Sequence, residues 1–519
     1  MSHRHTLLVL LLLGAFTSPV LGEPLPPSNV PPNAFDRALA AEVLGSGLAF
    51  LAPRTLDPVS IPQLTIWGLR GLTAIDPMLA PSLAGPDLRL AAGDRMLITR
   101  TAPPDDNPEA WGAAAAELAD AAWSSSALLR RAGTQGFITS FFDELFNHLD
   151  PYSRYVPPRD AQADRDRRTG EAGAGIRLAG RRGAVTVAEI TAESPADAAG
   201  VRLGDTILEV DDQKVGSADP ATVAGWIAGP EDTPLSLVVR GRDGRIRTLE
   251  MQRALVPPET VFTERRGPLL IIHITSFNST TGQRLAHVLA DALKEDPVPG
   301  RKPPPKIEGI VIDLRGNRGG LLRQAVTAAD TLLPAGVIAR TAGRNPDSTR
   351  QWASSGANLA GDLPVVVIVD GRSASAAEVM AAALADRGRA VVVGSATLGK
   401  GLVQTITPLP DGGELFVTWS RVLAPRGWPL QGLGVLPQVC TSLGAEALKA
   451  QLAALAEGQQ PMEAAIERQR SERAPISPNQ IIDIRNACPA AEGRDGDMDA
   501  AKFLIANPAA YATALLPPM

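Results

Sequence analysis

The sequence predicts a multidomain α/β protein. It reads as a helical N-terminal region (33–156), a small β-rich domain (172–255), an alternating strand–helix core (258–440) and a helical C-terminal extension (441–519). Three observations predict this. Apolar residues recur at helical spacing in Phe35–Leu51, Ile61–Ile75, Glu109–Arg131 and Thr134–Leu149. The period then shortens, and segments such as AVTVAEI (184–190) and PLSLVVRG (234–241) alternate as half-buried strands do. From residue 258 onward, continuous apolar runs are each followed by a helical stretch, the pattern of a sheet covered on both faces.

At the N-terminus, His3, Arg4 and His5 precede the apolar run Leu7–Phe16, and small residues lead to Gly22. That layout is a secretory signal over residues 1–22. The run is shorter than the about 20 residues a bilayer span requires. An exported protein with no stable membrane span after signal cleavage is expected, located in the bacterial periplasm. A Pro-rich leader follows the signal. Two later helical stretches, GLRGLTAIDPML (68–79) and FFDELFNHLDPYSRYV (141–156), each stop at Asp-Pro, because the residue before proline is pushed out of the helical region. The charged stretch 157–173 reads as a linker.

Composition narrows the function classes. The net charge of −6, mixed in sign, offers no nucleic-acid footprint. The two cysteines, Cys440 and Cys488, form an even pair in an exported chain and are expected to be joined. With two of the five histidines inside the signal, no metal site is expected, and no cofactor is implied.

Chemistry concentrates in the core. The strands LLIIHI (269–274), GIVIDL (309–314), PVVVIVD (364–370) and AVVVG (390–394) alternate with helices at Thr281–Lys294, Leu321–Leu333 and Ala376–Asp386. Between Asp370 and Ala376 a tight turn carries Ser373 and Ser375. A serine there caps the helix, or it is an exposed nucleophile favoured by the positive helix terminus. In GSATLGKGLVQ (394–404), Lys400 lies between glycines directly after a buried strand: it is a surface lysine in a Gly turn, or desolvation there lowers its pKa and lets it act as a base. A neutral amine beside a hydroxyl is a Ser-Lys dyad, and Gln404 could orient the amine. The Gly-rich turn in VIDLRGNRGGLLRQA (311–325) suits an oxyanion hole or an anion site; a phosphate loop is disfavoured, because no Gly-Lys-Ser/Thr follows.

Together these segments resemble the tail-specific, carboxyl-terminal processing peptidases, serine proteases with a Ser-Lys dyad. LDPYSRYV, DLRGNRGG, SASAAEV, GKGLVQ and LQGLGVLPQV match the family's motifs in order, over roughly residues 130–440. Ala377 and Gln438 stand where the family has a serine and an aspartate. The resemblance implies that Ser375 is the nucleophile, Lys400 the base and Gln404 its orienting residue. Ser373 is then left as a capping or turn-shaping residue. The amides of Ala376 and of Gly319 or Gly320 would form the oxyanion hole, in a core similar to the crotonase/Clp fold.

The β-rich domain resembles a PDZ module through GAGIRL (173–178) and SPADAAGVRLGDTILEVDDQKV (194–215). Gly173, Gly175 and Ile176 would capture a peptide C-terminus, with Arg177 and Arg181 adding attraction. Expected partners are protein substrates with accessible apolar C-termini, with an adaptor protein as a further candidate. The rival readings are a non-enzymatic PDZ scaffold with a vestigial protease domain, or a core that handles acyl thioesters.

Overall fold

The computed structural model describes residues 34–181, 183–294 and 305–517. The signal read in residues 1–22 lies outside them. No helix among the described residues is long and apolar enough to cross a membrane.

The N-terminal region is built on four helices, Arg37–Leu51, Ile61–Ile75, Pro108–Trp123 and Ala127–Phe146. Side-chain oxygens of Asp36, Ser60, Asn107 and Ser126 cap their first turns. Their apolar faces meet around Trp111, Phe137, Phe141 and Phe142. Periodicity predicts only helix here, yet Leu79–Ala84, Asp87–Ala92 and Arg95–Thr101 form an antiparallel meander. One of these strands buries only Leu88 and Leu90, and another buries nothing fully, so the alternation signal is faint. The stretch expected to be a linker is a helix, Pro158–Thr169, which contributes Arg165 and Arg168 to ion pairs with the buried Glu414.

The β-rich domain is an antiparallel sheet ordered Ile246–Gln252, Pro234–Arg240, Thr206–Val210, Ala184–Ile190, Ile176–Arg181. Strand Ile176–Arg181 is at the edge, its outer rim open to pair with a peptide, and the helix Pro220–Ile227 packs beside it.

The core sheet runs Val261–Arg266, Leu269–Ile274, Gly309–Asp313, Val365–Val369, Ala390–Gly394, Val439–Cys440. All neighbours from Leu269 onward pair in parallel. Parallel strands need covered faces. Helices Leu322–Asp330 and Ala376–Asp386 fill one face. The C-terminal extension fills the other, where Leu455, Leu504, Ile505 and Ala510 pack on Val311, Val366, Ile368 and Val391. The extension is thus part of the core, although its sequence reads as mostly polar. Cys440 and Cys488 are bonded to each other and fasten it to the last strand. A second sheet, led by the long strand Glu414–Leu423 beside Leu402–Pro408, closes over the core.

Candidate active site

The strand Val365–Val369 delivers the chain to a turn held from several directions. Asp370 is buried, and its Oδ1 accepts from the amides of Gly316, Arg372 and Ser373. Its Oδ2 accepts from the Gly493 amide, and the Gly371 amide donates to Ala491 O, so the C-terminal extension braces this turn. Ser373 is fully buried, and its Oγ donates to Leu314 O (2.8 Å) and accepts from the Asp370 amide (3.0 Å). It shapes the turn and faces no solvent.

Ser375 differs on each count. It lines a cavity of about 230 Å3 and adopts φ 55°, ψ −116°. A non-glycine residue there stores about 1–3 kcal/mol of strain, which persists only where surrounding contacts enforce it. The enforcing contact is Glu378, one turn into the helix and fully buried. Its Oε2 accepts both the Ser375 amide (2.7 Å) and the Lys400 amide (2.9 Å). Its Oε1 accepts the Gly399 amide and the Thr397 hydroxyl. A single carboxylate oxygen therefore sets the spacing between the two backbones that carry the candidate dyad. Burial pushes the Glu378 carboxyl upward, and its four hydrogen bonds oppose that.

Lys400 lines the same cavity. Its Nζ lies 4.8 Å from the centroid of the Tyr152 ring and makes no hydrogen bond or ion pair among the described residues. Burial lowers its pKa most, and the nearby Arg154 guanidinium lowers it further; Asp150 and Glu378 pull the other way. A lysine in that setting can be neutral and accept a proton.

Gln404 borders the cavity, but its Nε2 donates to Thr418 Oγ1 (3.0 Å) and Leu402 O (3.3 Å). It does not hold the Lys400 amine in this structure, as the sequence suggested it could. Thr418 in turn donates to Asp150 Oδ1 (2.7 Å), which also accepts the amides of Tyr152 and Ser153. The Asp-Pro turn at 150–151 thereby fixes both Gln404 and the ring beneath Lys400.

Two glycines follow Arg318 at positive φ. A side chain on Gly319 would lie 2.8 Å from Ala374 O, and one on Gly320 would collide with Phe277 O at 2.1 Å. The Gly319 amide already donates to Asn317 Oδ1 (2.8 Å), which removes it from the candidate oxyanion donors. Gly320 and Ala376 line the cavity with Ser375.

In the β-rich domain a cavity of about 1220 Å3 runs between the edge strand and the helix Pro220–Ile227. Gly173, Gly175 and Ile176 line it. Arg177 is paired with Glu189 across the strands, which leaves less of its charge for a bound carboxylate. Arg181 is at the far end of the same strand.

Sequence reasoning missed Glu378, Asp370 and the Tyr152 platform. The Ser-x-x-Glu spacing of residues 375–378 is a capping-box signature and could have singled out Glu378.

The fold and the site define a class, a serine-type peptidase carrying a PDZ domain. The peptidase family S41 pattern matches residues 268–441, and a PDZ domain pattern matches residues 186–241. A carboxy-terminal-processing protease of Bartonella bacilliformis is 31% identical over 308 residues, covering 59% of this chain and 69% of that protein. The chloroplastic carboxyl-terminal-processing peptidase 3 of Arabidopsis thaliana is 29% identical, covering 58% of this chain and 60% of that protein. A solved photosystem II D1 C-terminal processing protease aligns with 59% of this chain and 81% of its own, at 28% identity and a TM-score of 0.34. The chain belongs to peptidase family S41, among the carboxy-terminal-processing proteases.

Proposed function

We propose that this protein is an exported, periplasmic serine endopeptidase that captures protein C-termini in its PDZ groove and cleaves near them through a Ser-Lys dyad. The observation that carries the reading is the strained Ser375 and the desolvated Lys400 on one cavity, their amides bound to one oxygen of Glu378. Such an arrangement is hard to reconcile with a vestigial domain, since a binding scaffold has no use for a strained serine or a buried lysine.

The chemistry follows from the groups present. Lys400 Nζ swings from the Tyr152 ring to Ser375 Oγ and takes its proton as Oγ attacks the scissile carbonyl carbon. Catalytic hydrogen bonds commonly tighten only when substrate is bound. The oxyanion is met by the amides of Gly320 and Ala376. The C–N bond breaks as Lys400 returns the proton to the leaving amine, giving an ester on Ser375. Water, deprotonated by the same amine, attacks the ester carbonyl; the C–Oγ bond breaks and the ammonium returns its proton to Ser375 Oγ, releasing the new C-terminus and the free serine. Gln404 has Oε1 left to steer the ammonium formed on the way. In the PDZ groove, the edge strand Ile176–Arg181 pairs with the substrate tail, and Gly173, Gly175 and Ile176 receive its carboxylate. An apolar last side chain suits the Ala- and Gly-lined helix face at Ala221, Ala224 and Gly225.

The test is incubation of purified protein with an unfolded protein ending in an apolar C-terminus, beside the same protein amidated at that end. Cleavage of the first, weaker cleavage of the second, and none by Ser375→Ala are expected. Undiminished cleavage by Ser375→Ala would overturn the mechanism.

A further inference from the structure

The cavity around Ser375 and Lys400 is lined by three arginines, Arg154, Arg168 and Arg318, and by no carboxylate. The arginines differ in how far their charge is answered. Arg168 donates from one Nη to both oxygens of the buried Glu414 (2.8 and 3.0 Å), a carboxylate it shares with Arg165, so its charge is answered at close range but not alone. Arg154 stacks 3.9 Å from the Phe416 ring centroid, and its paired carboxylate, Asp164, is 4.0 Å away and shared with Arg167. Arg318 projects from the Gly-rich turn, is exposed, and has no hydrogen bond or ion pair among the described residues.

Positions matter as much as charge. Arg318 immediately precedes the two glycines at the candidate oxyanion site, on one side of Ser375. Arg154 comes from the strand Arg154–Val156, on the side of Lys400 and Tyr152. The rest of the wall is apolar, with Leu322, Val379, Leu402 and Val422. A substrate reaching Ser375 therefore meets this apolar wall in a cavity that two under-neutralised guanidinium groups also line. A cleft lined by one sign of charge concentrates ligands of the other and repels its own kind. The guanidinium fork also binds a carboxylate with two parallel hydrogen bonds.

We infer that the cleft selects substrates with an acidic side chain beside the scissile bond, and that Arg318 and Arg154 determine this preference. The inference rests on the peptidase reading above and adds a rule for where, along a captured chain, the cut falls.

The test uses the full mature protein and peptides sharing one C-terminal sequence and one aliphatic scissile pair. They differ only in carrying Asp, Gln or Lys at each flanking position. At the responsive position, kcat/KM for Asp should exceed that for Lys about 10-fold at low salt, and the gap should narrow as salt screens it. Arg318→Glu should raise kcat/KM on the Lys peptide above its own value on the Asp peptide, a gain that misfolding cannot produce. Arg154→Glu should shift the preference in the same direction. Equal rates for Asp and Lys in the wild type would overturn the inference, as would a preference that survives both reversals. Failure to cleave any peptide, the Gln series included, would count against the peptidase reading itself and against this inference with it.

Discussion

Glu378→Gln tests whether the spacing between nucleophile and base depends on one carboxylate oxygen. The substitution keeps volume and one carbonyl oxygen, so it opens no cavity. It sets an NH2 group against two donors, whichever way the amide turns: the Ser375 and Lys400 amides, or the Gly399 amide and the Thr397 hydroxyl. Each buried donor left without an acceptor costs about 1–3 kcal/mol. The charged carboxylate also loses its own burial penalty, which offsets part of the loss. A net destabilisation of about 2 kcal/mol follows, small enough for a folded protein. The catalytic effect should be larger, because a misplacement of about 1 Å can cost about 100-fold in rate. Expected is a kcat at least about 50-fold below wild type with KM changed little, and a transition midpoint lower by several degrees in a thermal melt. Glu378→Ala should fail more severely, since it strands all four donors. Wild-type kcat in Glu378→Gln would refute the idea that this oxygen sets the dyad's geometry.

Ser375→Ala and Ser375→Gly should both lack proteolysis, but the glycine variant should be the more stable by about 1 kcal/mol in urea unfolding, because glycine relieves the strain at φ 55°. Ser373→Ala should retain part of the activity and lose about 1–2 kcal/mol of stability by the same assay, since its buried hydroxyl bonds Leu314 and Asp370. Activity should rise as pH passes upward through the lowered Lys400 pKa, because the neutral amine is the base. Arg154→Met removes a positive neighbour that favours that neutral form, so the rising limb of a kcat/KM profile should move to higher pH. The double replacement His273→Gln, His287→Gln should leave that limb in place. Cys440→Ser with Cys488→Ser should lower unfolding stability by about 4 kcal/mol, from the 48-residue separation the bond closes, and a melt with reductant should show the same direction.

The linear sequence determined whatever depends on local pattern. Continuous Val and Ile runs have one economical use, a parallel sheet buried on both faces, so the four central strands were legible, whereas Val261–Arg266, Val439–Cys440 and the second sheet carry no such run and were not. Tight turns need glycine at fixed offsets, so the turns at 316–320 and 399–401 could be read as places where backbone and side chain meet a ligand. Ser375 and Lys400 stood at the ends of such strands, but local pattern left Ser373 and Ser375 both open, and only the family resemblance singled out Ser375 with Lys400.

What pairs across the chain was not legible. The spacing of Gln404 from Lys400 does not say where its Nε2 goes, which in the fold is to Thr418 and Leu402. Only the fold brings Thr418 to Asp150, 268 residues earlier in the chain. The C-terminal helices looked polar because they bury narrow stripes of small residues, and a stripe has meaning only against the sheet face it covers. The meander at 79–101 was missed because strands with few buried positions carry little alternation. Charge balance in the cleft is likewise a tertiary property: the sequence contains the arginines, but distance alone decides that Glu414 lies against Arg168 and Arg165 and leaves Arg318 without a partner among the described residues.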